Sequence, residues 1–438
     1  MAQPRFRLGL LTAAAAVGLA ACGTLDDTVH VAPGKMDAWL ADKPDGTHHL
    51  YASVLIGGQR NRVLNQERAG LAAFEAGDYA IAAASFDDAL NHIETIYADN
   101  PRAKKARSNF TPERSKEFKG EAYERAMAFY YRGLIYLAQG DYGNARAVFQ
   151  GGQLQDAFAE DQRYQSDFAV LDVLSGWASQ CEGNTALARD FYSRATQSRA
   201  GIFVPASGDR TLAIADMGLS PKKVGEGDYG ESLAYIAPDP VPEASVTFMA
   251  RGVPYRANFG EDLYWQATTR GGRQVDEILA GKAEFKDGAT IVGAVSLQLA
   301  DVALDVASWN APDDDDYDHN RRHHHKDSDE GDDDSDEALA WAAGLAILGV
   351  GALLVAESTA PEADTRYWDN LPAHIDYTTL PPDTFPTEAV FKDSSGATLG
   401  SQPVRIHADP NNRCSLVYVK SRRAAEVPAA APNASLER

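Results

Sequence analysis

The chain has 438 residues, 44% of them apolar, and a formal net charge of -22. That length accommodates two domains. Residues 313 to 337 alone hold thirteen acids against three bases, so the rest is only mildly acidic. Nucleic-acid binding is excluded as an expectation, because phosphate contacts need clustered Lys and Arg.

The N-terminus reads MAQPRFRLGLLTAAAAVGLAAC. Arg5 and Arg7 form a positive start, and Leu8 to Leu19 is an apolar run of signal-peptide length. The sequence Leu19-Ala20-Ala21-Cys22-Gly23 resembles a bacterial lipobox. The resemblance implies that residues 1–21 are a signal peptide and that the Cys22 thiol carries a diacylglycerol. Several acyl chains together give stable tethering. Gly23 stands where an aspartate would favour the inner membrane, so the expected location is the outer membrane, facing the periplasm. Residues 22–34 read as a linker.

Residues 35–235 read as an α-helical domain. Three stretches share one pattern: Gly70, Gly77, Tyr79, Ala82 and Phe86; Gly133, Gly140, Tyr142, Ala145 and Phe149; Gly176, Gly183, Ala188 and Tyr192. In each, the second glycine lies seven residues after the first, alanine follows five later and an aromatic four after that. This is the pattern of two antiparallel helices. The later glycine takes a left-handed turn, the small residues allow close approach, and the aromatic fills space between neighbouring hairpins. It resembles the tetratricopeptide repeat, and Tyr136 fits that repeat's large aromatic. The spacing of the turn glycines, 77, 140 and 183, departs from a regular 34-residue period. Such arrays bury one face and present a concave surface to partner proteins, which is the expectation here.

Residues 240–425 read as a β-rich domain split by a helical hairpin over 289–356, with an acidic loop at 311–337 and a tail at 426–438. Val246 and Phe248 alternate before a Gly-Val-Pro turn, and Asp287-Gly288 signals a hairpin. Val404 and Ile406 are expected to face Leu416 and Tyr418 in a second hairpin. Ala289 to Asn310 and Ala338 to Ala356 are apolar. The second, at about 28 Å as a helix, just matches the roughly 30 Å hydrocarbon thickness of a bilayer. It reads as one arm of a buried hairpin, with membrane insertion the alternative. His319, His323, His324 and His325 sit among the aspartates of the loop. Imidazole and carboxylate suit transition metals, but so charged a run reads as solvated, so weak metal binding is the minor reading.

The stretches FKGEAYERAMAFYYRGLIYLAQGDYGNAR, Gly252-Val253-Pro254 and ADTRYWDNLPAHIDYTTLPPDTF occur in that order. Together they resemble a family of tetratricopeptide-containing lipoproteins of Gram-negative bacteria with no assigned activity. Within the last stretch Asp364, Arg366, Trp368, Leu371 and Pro372 read structurally, as an ion pair and an aromatic anchor leading into the final strands. Cys181 and Cys414 could pair in the periplasm or remain free thiols. No G-x-S-x-G, H-E-x-x-H, P-loop or dinucleotide fingerprint is present. The expectation is therefore an α+β lipoprotein that binds other envelope proteins, without catalysis, cofactor or small-molecule substrate.

Overall fold

The computed structural model describes residues 29–98, 117–156, 167–227, 230, 232–238, 240–268, 363–409 and 413–421. Cys22, the Asp287-Gly288 turn, the apolar stretches of 289–356, the four loop histidines and the tail lie outside the described residues. The fold is mixed α+β.

Two short helices, α1 (Pro33–Leu40) and α2 (His48–Ile56), lead into three helix pairs. These are α3 (Arg62–Ala76) with α4 (Tyr79–Ala98), α5 (Ala122–Ala138) with α6 (Tyr142–Asp156), and α7 (Ala169–Glu182) with α8 (Thr185–Ser198). Helix α1 begins inside the span assigned to a linker. The three turns share one solution. Gly77, Gly140 and Gly183 have φ of 85°, 73° and 90°, the left-handed conformation that glycine adopts without a Cβ clash. The next residue sends its N–H back to the first helix: Asp78 to Ala73, Asp141 to Tyr136 and Asn184 to Ser179. Its side chain then caps the second helix by accepting from the N–H of Ile81, Asn144 and Leu187 respectively. A Gly-Asp or Gly-Asn dipeptide thus ends one helix and starts the next.

The helices stop at Ser198, and β1 (Thr211–Met217), β2 (Lys222–Glu226) and β3 (Ser232–Ile236) follow. These strands fall inside the span assigned to helices, which corrects that boundary. The remaining elements are β4 (Ser245–Ala250), β5 (Val253–Arg256), β6 (Asn258–Asp262), the short α9 (Leu263–Thr268), β7 (His374–Leu380), β8 (Glu388–Lys392), β9 (Thr398–Pro403), β10 (Arg405–Ala408) and β11 (Ser415–Lys420). A central sheet has the order β10-β11-β1-β7-β6, and an outer sheet the order β5-β4-β8-β9. Strand β1 pairs in parallel with β11 and antiparallel with β7.

Two hairpin details differ from the sequence reading. The turn between β4 and β5 is Arg251-Gly252, both at positive φ, and Val253-Pro254 already belong to β5. In the C-terminal hairpin Ile406 pairs with Val417, while Arg405 and His407 oppose Tyr418 and Leu416. The register is one residue off, because the polar pair faces the helices and Ile406 faces outward, 41% exposed.

The alternation of β1 explains the layering. Leu212 and Ile214 join the core formed with the helices, together with Ile375, Tyr377, Leu416 and Tyr418. Ala213, Ala215 and Met217 point the other way, into a second core with Val246, Phe248, Ala389, Phe391, Val417 and Val419. The order is helices, central sheet, outer sheet. Strands β1 and β11 are buried along their whole length, as a sheet covered on both faces must be.

Candidate functional site

The seam between the helix pairs and the central sheet gathers most of the polar chemistry. Its first part runs along the three turns. Arg405 lies over Gly77, where a methyl group would meet the guanidinium at 2.1 Å. Tyr79, two residues past that turn, shares a hydrogen bond with His407. Burial, and then Arg405, pull the His407 imidazole below its ordinary value, so it is neutral at pH 7. At the second turn Asp409 packs on Gly140, and Arg413 donates to the Gly140 carbonyl at 2.8 Å. The Tyr142 hydroxyl donates to Asp409 at 3.2 Å. Beside the third turn Cys181 is disulfide-bonded to Cys414, with Cα atoms 5.7 Å apart. Residues 405, 407, 409, 413 and 414 therefore fasten the three hairpin turns in succession. The sequence left the pairing of the two cysteines open; the structure joins them.

The second part is a buried carboxylate. Asp216 of β1 accepts hydrogen bonds from Tyr131 at 2.6 Å, Tyr418 at 2.8 Å and Tyr130 at 3.1 Å. Burial raises its carboxyl above the usual range, and the hydroxyls and Lys420 pull it partway back. The three phenols are pushed well above theirs by burial and then by the Asp216 charge. Lys420 itself donates to Glu75 at 2.8 Å and to the Asn370 carbonyl. A recess of about 30 Å³ beside this cluster is lined by Glu75, Arg405, Tyr418 and Lys420 among others. That is room for little more than one water.

The third part is where Asp364 to Pro372 docks. Arg366 pairs with Asp364 at 2.7 Å and donates to Asn61 at 2.8 Å and to the Arg60 carbonyl. Trp368 is fully buried against Phe86 and Tyr131. Leu371 and Pro372 are buried beside it. Arg68 of α3 reaches Asp369 at 2.7 Å and the Tyr367 carbonyl at 3.0 Å. Glu124 receives the Trp368 N–H at 2.8 Å, the Glu121 N–H at 2.7 Å and an ion pair from Lys223. At the far end of the seam Glu261 is buried against Arg199, Gln266 and the Val170 N–H at the start of α7. Burial pushes its carboxyl up to about 7.

The first glycine of each repeat packs within its own hairpin. A methyl on Gly70, Gly133 or Gly176 would lie 3.3, 2.2 or 2.4 Å from the ring of Phe86, Phe149 or Tyr192. The aromatic thus fills the notch left by its own hairpin's first glycine, and Phe86 also stacks on Tyr131 of the next hairpin, as expected of a residue between hairpins. Ala82, Ala145 and Ala188 are buried, and Tyr136 stacks under Arg132 at 3.8 Å. The face of α3, α5 and α7 expected to form an open concave surface is covered by the central sheet. Arg405, His407 and Asp216 were not singled out from the sequence, and Asp409 was read only as the start of the Asp409-Pro-Asn-Asn turn. The one local signal was Asp216, an acid inside the apolar run TLAIADM.

Among the described residues there is no cluster of His, Cys, Asp or Glu able to hold a metal, and no helix long and apolar enough to cross a membrane. Comparison with protein-family models, with curated proteins and with solved structures found no match.

Proposed function

We propose that this chain is a lipid-anchored protein of the cell envelope, held by Cys22 at the periplasmic face of the outer membrane, whose tetratricopeptide-like helix pairs serve as a scaffold for other proteins. The observation that carries the compartment is the disulfide between Cys181 and Cys414. Disulfides persist in oxidising compartments and are rare in reducing ones. The same bond fits the lipobox-like start of the chain. The scaffold role draws on the three glycine-turned hairpins and on the way the seam uses its ionisable groups. Asp216, Glu124 and Glu261 each have tyrosine, lysine, arginine or backbone donors in contact, so they serve as fasteners and not as acids or bases toward a substrate.

The sheet on the inner helical face redirects where partners bind. They reach the outward faces of α4, α6 and α8, or the outer sheet. A tether raises the effective concentration of partners on the same surface, so individually weak contacts suffice. The test is metabolic labelling with a fatty-acid analogue, membrane fractionation and thiol alkylation of the mature chain, beside Cys22→Ala. The expected result is an acylated, membrane-bound protein with Cys181 and Cys414 unavailable to alkylation, and a released, unlabelled variant. An unacylated cytosolic chain with both thiols free overturns the reading. In-cell crosslinking from exposed positions of α4, α6 and α8 then identifies partners; crosslinks confined to other surfaces reject this placement.

A further inference from the structure

Glu67 stands in the middle of α3, fully buried, and neither carboxyl oxygen has a hydrogen-bond partner. An unpaired buried carboxylate is costly, and such a group takes up a proton instead. The charged groups facing it are few. Glu124 and Arg125 come from α5, Lys223 from β2 and Arg68 from its own helix. Each already has a partner. Lys223 pairs with Glu124. Arg68 pairs with Asp369 of the 363–371 segment. Arg125 donates to Gln155 at 2.9 Å and to the Gly120 carbonyl at 2.7 Å. On the other side of α3 the acids of α4 are also taken, Asp88 by Arg62 and Asp87 by Arg132. Two buried carboxyl groups, Glu67 and Glu124, thus share surroundings with one lysine, which Glu124 holds.

The place matters as much as the charge. Glu124 receives the backbone N–H of Trp368, and Asn370 donates to the Arg68 carbonyl at 3.1 Å. The Asp364–Leu371 segment is clamped to α3 and α5 around the position where Glu67 sits. Burial, and then the Glu124 charge, hold the Glu67 carboxyl well above the ordinary glutamate range, against the pull of Lys223, Arg68 and Arg125.

We propose that Glu67 is a proton-operated latch: while it carries its proton the 363–371 segment stays clamped to α3 and α5, and loss of the proton loosens that segment. Ionised Glu67 competes with Glu124 for Lys223, and the ion pair that holds the Trp368 N–H weakens. The sign follows from linkage. The unfolded chain releases this proton near the ordinary glutamate pKa and the folded chain at a higher pH. Stability is therefore lost as pH rises between those two values.

The test uses the full chain and Glu67→Gln, a neutral isostere. Unfolding is measured against pH, with hydrogen exchange read over 363–371 after correction for intrinsic rates. In the wild type the unfolding constant rises by up to about tenfold per pH unit through that window, and exchange in 363–371 rises with it. Glu67→Gln lacks both increments. Parallel pH profiles for the two proteins overturn the latch, as does a Glu67-dependent pH effect that leaves 363–371 equally protected. Infrared spectroscopy supplies a readout independent of the isostere's folding. Recorded just above the ordinary glutamate range, the wild type shows protonated-carboxyl absorption that Glu67→Gln and Glu67→Met lack. Identical absorption in the wild type and both variants overturns the proposal.

Discussion

The central sheet has two faces built by opposite rules. Its helix-side face buries Asp216 and the Glu75–Lys420 pair and is stitched by a disulfide. The core it shares with the outer sheet consists of Ala, Val, Leu, Met and Phe. One strand serves both, since β1 sends Leu212, Ile214 and Asp216 one way and Ala213, Ala215 and Met217 the other. Apolar packing tolerates many side-chain substitutions of similar volume, whereas buried hydrogen-bonded charges tolerate few arrangements. Buried ion pairs add little net stability and are costly to break. The helix-side face is therefore the specified interface, and the outer face the general one.

The largest test removes an anchor from each side. Trp368→Ala and Phe248→Ala each delete a fully buried ring and should cost about 3–5 kcal/mol. Denaturant unfolding gives the size and hydrogen exchange the location. Phe248→Ala should raise exchange in β4, β5, β8 and β9 and leave the helices protected, while Trp368→Ala should spread into α3 and α5. Equal spread from both substitutions removes the distinction between the faces.

Next comes the covalent stitch. Cys181→Ser closes off a link spanning 233 residues, and its loss should cost roughly 2–5 kcal/mol. The check is thermal unfolding with and without reductant: reductant should lower the midpoint of the wild type and leave the variant unchanged. At the glycine notches Gly133→Ala drives a methyl into the Phe149 ring and should cost about 1–3 kcal/mol by overpacking. Gly183→Ala meets no neighbour within 4 Å and pays only backbone strain at φ of 90°, about 1 kcal/mol. The ranking, read by urea midpoints, separates packing from conformation.

The last test is a slope. Glu261 titrates at about 7 when folded and near the ordinary glutamate value when unfolded. Its contribution is fully present below the unfolded value and is lost as pH rises toward 7, by at most roughly 1.4 kcal/mol per pH unit. Glu261→Gln should flatten that part of the stability profile. An unchanged profile would mean that Arg199 keeps Glu261 ionised throughout.

The three Gly-Asp or Gly-Asn turns and the small-residue notches were legible in the sequence, because each is set by residues within about twenty positions. The contact of each aromatic with its own hairpin's first glycine was not read, since spacing does not show which faces meet once the helices pair. The 404–418 hairpin was found but placed one residue out, because alternation alone does not say whether Arg405 and His407 or Val404 and Ile406 face the helices. Strand β1 was missed as a strand, since its Ala-rich outer face blends with the Ala-rich helices before it.

By itself the sequence determined the local pieces: where helices turn, which small residues let them close, and that an Asp-Arg-Trp segment precedes the last strands. Only the tertiary structure decided that β1 pairs with β7 and β11 from far along the chain, that Tyr130, Tyr131 and Tyr418 converge on Asp216, and that the inner helical face is filled from within. Local signals reflect the backbone's own preferences over one or two turns. Pairings between distant segments are selected by burial and by satisfaction of buried polar groups, and those exist only once the layers have come together.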